Sequence, residues 1–136
     1  MSRFTLYSLL VLAGLLVVLG AFFLTRPQEM ILTEADAGKT IELEVGEEFA
    51  VKLAGNPTTG YTWEMATSEA AVVEQVGQPT YEEENENGRV GTGGTMILHF
   101  KATRPGQQLL QLIYHRPWEE DVAPINTFGV TVVVKE

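Results

Sequence analysis

The residues able to do covalent or metal chemistry are few, and their spacing does not favour it. The 136-residue chain has no cysteine. That removes a thiolate nucleophile, a thiolate metal site, a disulfide and lipid attachment through Cys. His99 and His115 are the only histidines. Neither brings a third ligand or an evident nucleophile partner, which argues against a metal centre and a Ser/His/Asp hydrolase. Carboxylates cluster at Glu82–Glu84 and Glu119–Asp121, the residue type a glycosidase pairs. Both runs read as loops, and only Trp118 offers an aromatic platform for a sugar. Gly91-Thr92-Gly93-Gly94 resembles a phosphate cradle superficially. A strand-like TMILHF follows it instead of Lys-Ser/Thr and a helix.

Three segments are better suited to binding than to catalysis. In GNPTTGYTW (Gly55 to Trp63), Pro57 fixes its own φ and biases Asn56 away from helix, and Gly60 supplies positive φ. Thr58 and Thr59 are β-branched, a poor choice for a turn apex unless their side chains are used. Pro57 also bars Asn56 from glycosylation. Gly93 and Gly94 precede a strand, where glycine permits close approach of another backbone. Arg116-Pro117-Trp118 presents a cation and an indole on a stiffened turn, and both types dominate interface hot spots. A plainer role for the same triad is a Trp118 folded onto the protein, with Arg116 paired to Glu119 or Glu120.

The elements that must position these segments read as all-β. KTIELEV places Ile41, Leu43 and Val45 on one face, and EFAVKLA does the same with Phe49, Val51 and Leu53. TMILHFKA alternates Met96, Leu98, Phe100 and Ala102 against Ile97, His99 and Lys101, while QLLQLIYH and TFGVTVVV complete the set. TSEAAV, near Thr67 to Val72, is the one candidate helical turn. EEENENGR, Glu82 to Arg89, reads as a solvated loop between strands. Short strands with regular turn signals over about a hundred residues predict a β-sandwich or small barrel. If alternate connections emerge at the same end, GNPTTGY, NGRVGTGG and HRPWEEDVAPIN share one rim and the tight turns share the other. Binding loops converge this way in antibody variable domains.

The N-terminus is of another kind. Phe4 to Leu24 carries no charge, and its 21 residues as a helix would rise about 31 Å, against a hydrocarbon core of about 30 Å. Val18-Leu19-Gly20 offers a cleavage site, but the apolar run continues through Phe22, Phe23 and Leu24, favouring an uncleaved anchor. Residues 1–28 are therefore assigned as signal anchor (or signal peptide) and linker, and 29–136 as the folded domain. That domain holds seven basic against 18 acidic residues, a net −11. Such an excess argues against nucleic acid and against an anionic lipid surface.

NPTTGY, GTGGT and YHRPW, in this order and spacing, resemble the three signature segments of the chagasin family of cysteine-protease inhibitors. The resemblance extends over residues 30–136, including LIYHRPW, GTGGTMILHF and Thr127-Phe128. It implies an immunoglobulin-like β-sandwich, here preceded by the helix read above as a transmembrane anchor, with three loops wedged into the cleft of a papain-like (for example cathepsin-L-like) peptidase. Carried over by residue, Asn56, Pro57, Thr58, Thr59, Gly60 and Tyr61 would meet the catalytic centre, Thr58 and Thr59 nearest it. Gly91, Thr92, Gly93, Gly94 and Thr95 would line the unprimed side, and Arg116, Pro117 and Trp118 the primed side. Tyr61 is expected to brace the first loop and Trp63 to be core.

The expectation is thus a reversible, non-covalent inhibitor. It has no catalytic residues, metal, cofactor or nucleic-acid partner, and is held on the membrane outside the cytoplasm or secreted after cleavage. The alternative is an immunoglobulin-like cell-envelope module using the same rim for a non-protease partner.

Overall fold

The computed structural model describes residues 3–24, 28–66, 71–84 and 93–136, without the side chains at 4, 6, 16 and 18–24. Among them, the alternating segments form nine strands in two sheets. These are β1 (Met30–Leu32), β2 (Thr40–Glu44), β3 (Glu48–Gly55), β4 (Thr62–Met65), β5 (Val73–Gln75), β6 (Thr80–Glu83), β7 (Gly94–Ala102), β8 (Gly106–His115) and β9 (Asn126–Lys135). One sheet runs β1-β3-β7, with β5 and β6 end to end along the far edge of β7; the other runs β2-β9-β8-β4. Phe49, Val51, Leu53, Leu98 and Phe100 from the first sheet meet Trp63, Leu110, Leu112, Val130 and Val132 from the second. All ten are essentially removed from water, and Phe49 stacks on Phe100 at 5.4 Å between centroids. At about 1.5–3 kcal/mol per buried side chain, this layer is the main source of rigidity behind the loops.

Where the strands differ from the sequence reading, the reason is local. Val45 does not share the buried face of Ile41 and Leu43: the chain turns there, and Val45 is exposed. The acidic stretch is not loop from its start, because Glu82 and Glu83 belong to β6, paired with Thr95 and Gly94. Residues 85–89 of that stretch, and 67–70 of the expected helical turn, lie outside the described residues.

GNPTTGY does not close a hairpin. β3 lies in one sheet and β4 in the other, so the loop carries the chain across the sandwich. This accounts for its length, since a two-residue hairpin turn cannot bridge stacked sheets about 10 Å apart. The expected loop parity holds when β5 and β6 count as one interrupted strand. Gly55 is opposite Gly94, and Thr62 is opposite His115. The connections 56–61, 84–93 and 116–125 therefore leave from one end. The turns at Gly46 and at Thr103–Pro105 occupy the other, where Gly46 N–H donates to Ala102 C=O at 2.8 Å.

A separate helix, α1, spans Arg3–Leu24. Counted over the described residues, no helix is long and apolar enough to cross a membrane. Residues 25–27 of the linker lie outside the described residues.

Candidate functional site

The first loop is held by its own side chains. Asn56 is extended (φ −141°, ψ 98°) and caps a single 3-10 turn over Pro57–Thr59, with proline where no N–H is needed. Its Oδ1 accepts from Thr58 N–H at 3.1 Å and from Thr58 Oγ1 at 2.6 Å. Thr59 Oγ1 donates to Asn56 C=O at 2.6 Å. Gly60, at φ 81°, ends the turn in the left-handed region, where a β-carbon is disfavoured. Both threonine hydroxyls are thus already engaged within the loop. The backbone they shape is helical, not the extended form a peptidase substrate would offer.

Three further bonds fix the base of this loop. Asn56 N–H donates to the Tyr114 hydroxyl at 2.9 Å, Trp63 Nε1 donates to Ala54 C=O at 3.0 Å, and Ala54 N–H donates to Glu34 Oε1 at 2.6 Å. Trp63 is core, as expected. Tyr114 and Glu34 were not among the residues singled out from sequence. The alternation of Leu110, Leu112 and Tyr114 places the phenol on the inward face, a readable signal. Glu34 reaches β3 from twenty residues away, across a sheet-to-sheet crossover, and carries no such signal.

The third loop is docked onto the first. Arg116 Nε donates to Thr59 C=O at 3.0 Å, and its Nη1 reaches Glu119 Oε1 at 3.0 Å. The guanidinium lies 4.4 Å from the centroid of Tyr61, in cation–π contact. Tyr61 packs on Tyr114 (5.4 Å), which stacks on Trp63 (5.0 Å), so an aromatic column joins Arg116 to the core. Tyr61 therefore braces the loop. The pairing of Arg116 with Glu119 follows one of the two sequence alternatives. Trp118 follows neither fully: its benzo edge rests on Gly60, while 67% of the residue is exposed.

At the base of the central loop, the described residues meet closely through their backbones. Gly91 and Thr92 lie outside the described residues; Gly93, Gly94 and Thr95 are described. A β-carbon on Gly94 would overlap the carbonyl oxygen of Glu82 in β6. The close backbone approach anticipated for this glycine is made by the protein's own neighbouring strand. Gly93 has φ 92°, and Glu84 N–H donates to its carbonyl at 3.3 Å. Partial burial, reinforced by Glu83 and Glu84, pushes the Tyr81 phenol above its ordinary value beside this loop.

The remaining candidates for chemistry stay apart. His115 pairs with Glu64 at 2.7 Å and His99 with Glu29 at 3.1 Å. Among the described residues no group of three or more His, Asp or Glu side chains is placed to hold a metal ion.

Comparison with known proteins agrees with this geometry. Residues 42–132 match the model of the chagasin family peptidase inhibitor I42. Amoebiasin-1 of Entamoeba histolytica is 34% identical over 108 residues, covering 78% of this chain and all of that protein. The crystal structure of the cysteine protease inhibitor EhICP2, from the same organism, superposes with a TM-score of 0.66 at 26% identity, covering 81% of this chain and 100% of that one. PbICP-C, solved in complex with falcipain-2, shares the fold at a TM-score of 0.50 and 22% identity, over 81% of this chain and 93% of that one. The braced loops of one rim and the matches along nearly the whole sandwich lead to one conclusion: this chain belongs to the chagasin family of peptidase inhibitors.

Proposed function

We propose that this protein blocks papain-like cysteine peptidases by inserting the three loops of its rim into the active-site cleft, while α1 holds it on a membrane. As a member of its family the chain is a reversible peptidase inhibitor and not an enzyme. The observation that carries the mode of action is the first loop, whose 3-10 turn is held by hydrogen bonds among its own residues. Such a loop can fill a catalytic site without presenting an extended, cleavable peptide, and its rigidity lowers the ordering entropy lost on binding. Trp118 adds apolar area at small rotamer cost. The falcipain-2 complex of a fold relative supports a papain-like partner. The strand orders β1-β3-β7-β5 and β2-β9-β8-β4 support an immunoglobulin-like sandwich.

The uncharged run from Phe4 to Leu24 supports the tether, and the topology is compatible with it. β1 runs parallel to β3, with Met30 against Phe49 at the start of β3, while Gly55 at its far end leads into the first loop. The chain thus enters the domain at the end away from the rim. The eight residues of β3 span about 26 Å at 3.3 Å each. A helix in the membrane would leave the rim at the far end of the domain from it.

The decisive experiment titrates the full chain, in mild detergent, against papain and a cathepsin-L-like enzyme. Inhibition that reverses on dilution, with the inhibitor recovered intact, is the expected result. Absence of inhibition at micromolar concentration would sink the proposal. Mass spectrometry of the mature N-terminus tests the anchor: a chain beginning at Ala21, after the Val18-Leu19-Gly20 site, or later would rule it out.

A further inference from the structure

We infer that Arg116 is a positioning residue. It locks the first and third loops into a single preformed block, leaving Trp118 as the side chain that block offers a peptidase. The inference rests on the inhibitory reading above and refines how the rim performs it.

Three contacts converge on one guanidinium. Nε holds the carbonyl of Thr59, Nη1 holds the Glu119 carboxylate, and the plane covers the Tyr61 ring. These partners lie on both loops: Thr59 and Tyr61 on the first, Glu119 on the third. A planar cation with several donors in a fixed fork can make all three contacts together, and an ammonium cannot. Glu119 neutralises the charge locally, and its own N–H donates to Arg116 C=O at 3.1 Å, which closes a turn through Pro117 and Trp118. The same turn lays the indole edge on Gly60, the residue directly after the Thr59 carbonyl that Arg116 holds. Arg116 is only partly exposed, whereas Trp118 is largely exposed. A cation so engaged is a strut between loops, and the exposed indole beside it is the group free to be buried by a partner.

Two substitutions separate a strut from a cation that contacts the peptidase directly. Lys retains the charge but loses the fork and the stacking; Ala loses all three. With the full chain in detergent and papain as the probe, Arg116→Lys and Arg116→Ala should both raise the dissociation rate by about tenfold or more. The salt dependence of the association rate should stay unchanged. In the free inhibitor, both should shift the Trp118 indole and the Thr59 and Gly60 amide resonances, and leave the Trp63 indole in place as a check on folding. A Lys variant with the parent dissociation rate would overturn the inference, as would an Ala variant with unshifted Thr59, Gly60 and Trp118 resonances. If the parent chain fails to inhibit papain, the inhibitory reading is lost. The resonances then still decide whether Arg116 holds the block together.

Discussion

The first and central loops leave the same sheet from adjacent strands, at the facing pair Gly55 and Gly94, yet they are secured in different ways. The first loop is tied by polar side chains: Asn56, Thr58, Thr59, Tyr114, Glu34 and Arg116 all hold or are held by its backbone or hydroxyls. The base of the central loop meets through its backbone, where Glu84 N–H donates to Gly93 C=O. It is shaped by how closely the backbone of β6 approaches Gly94, a position where only hydrogen fits. Removing one hydrogen bond from a redundant set costs about 1 kcal/mol. A methyl forced against backbone has no rotamer to escape into. The polar loop should therefore degrade gradually under mutation, and the glycine-based one abruptly.

Gly94→Ala is the strongest test of that contrast. The new methyl must displace Glu82 and Glu83 of β6, an overpacking cost of about 3 kcal/mol. Chemical denaturation should show that loss, with β6 amides exchanging faster. Stability within 0.5 kcal/mol of the parent, on the scale of a neutral surface change, would mean that β6 yields freely and that this glycine is not structural.

Trp118→Ala comes next and reads binding alone. Because the indole is largely exposed, folding should be unchanged, while inhibition of papain weakens by about 2 kcal/mol or more if the residue is a hot spot. A loss below threefold would remove Trp118 as an anchor. Gly60→Ala should damage both properties. It strains a left-handed residue by about 1–2 kcal/mol, and its methyl would occupy the seat of the indole. If it proves as stable as the parent, with unaltered inhibition, the contact between Gly60 and Trp118 is incidental.

The same contrast explains what could be read from sequence. Period-two alternation marked the apolar faces of β3, β7, β8 and β9, because burial on one face of a strand is written residue by residue. Loop parity brought Asn56–Tyr61, Gly93–Thr95 and Arg116–Trp118 to one end. Pro57 and Gly60 foretold their own backbone geometry through intrinsic φ preference. Sheet assignment was not legible: no local signal distinguishes a hairpin from a crossover, so nothing around GNPTTGY placed β4 in the other sheet. Nor could the partner of a glycine be read. Gly94 announces close approach, but only the fold shows that β6 is what approaches. Glu34 was missed because its bond to Ala54 depends on a crossover with no periodicity. Val45 misled because alternation continued one residue past the strand.

Asn56→Ala probes the polar side of the contrast. The substitution removes the amide, including Oδ1, which accepts from both Thr58 N–H and Thr58 Oγ1. Loss of such a cap costs about 1 kcal/mol. The bonds from Tyr114, Thr59 and Arg116 survive, since they use the backbone of Asn56 and Thr59. Denaturation should report that small loss, and inhibition should weaken only several-fold. A collapse as large as that of Gly94→Ala would show that the polar loop has no redundancy and would erase the contrast.

The smallest effect concerns pH. Asp36 sits on the crossover that carries Glu34 to Ala54. Its carboxylate accepts from Thr33 N–H at 2.9 Å and from Lys39 Nζ at 2.9 Å. The backbone bond from Thr33, with Lys39 second, holds its pKa below the ordinary carboxylate value of 3.8. The sign follows from linkage: a group with a depressed folded-state pKa gives stability that is fully present above its unfolded value and disappears as pH falls through the folded one. The crossover should therefore be unaffected near neutrality and loosen only below about pH 4, releasing the hold of Glu34 on the base of the first loop. Asp36→Asn should mimic that state at neutral pH. It should slightly quicken exchange of the Ala54 amide, with β6 and Gly94 untouched. Equal acceleration at Ala54 and in β6 would show that the two loops are coupled through the sheet and are not secured independently.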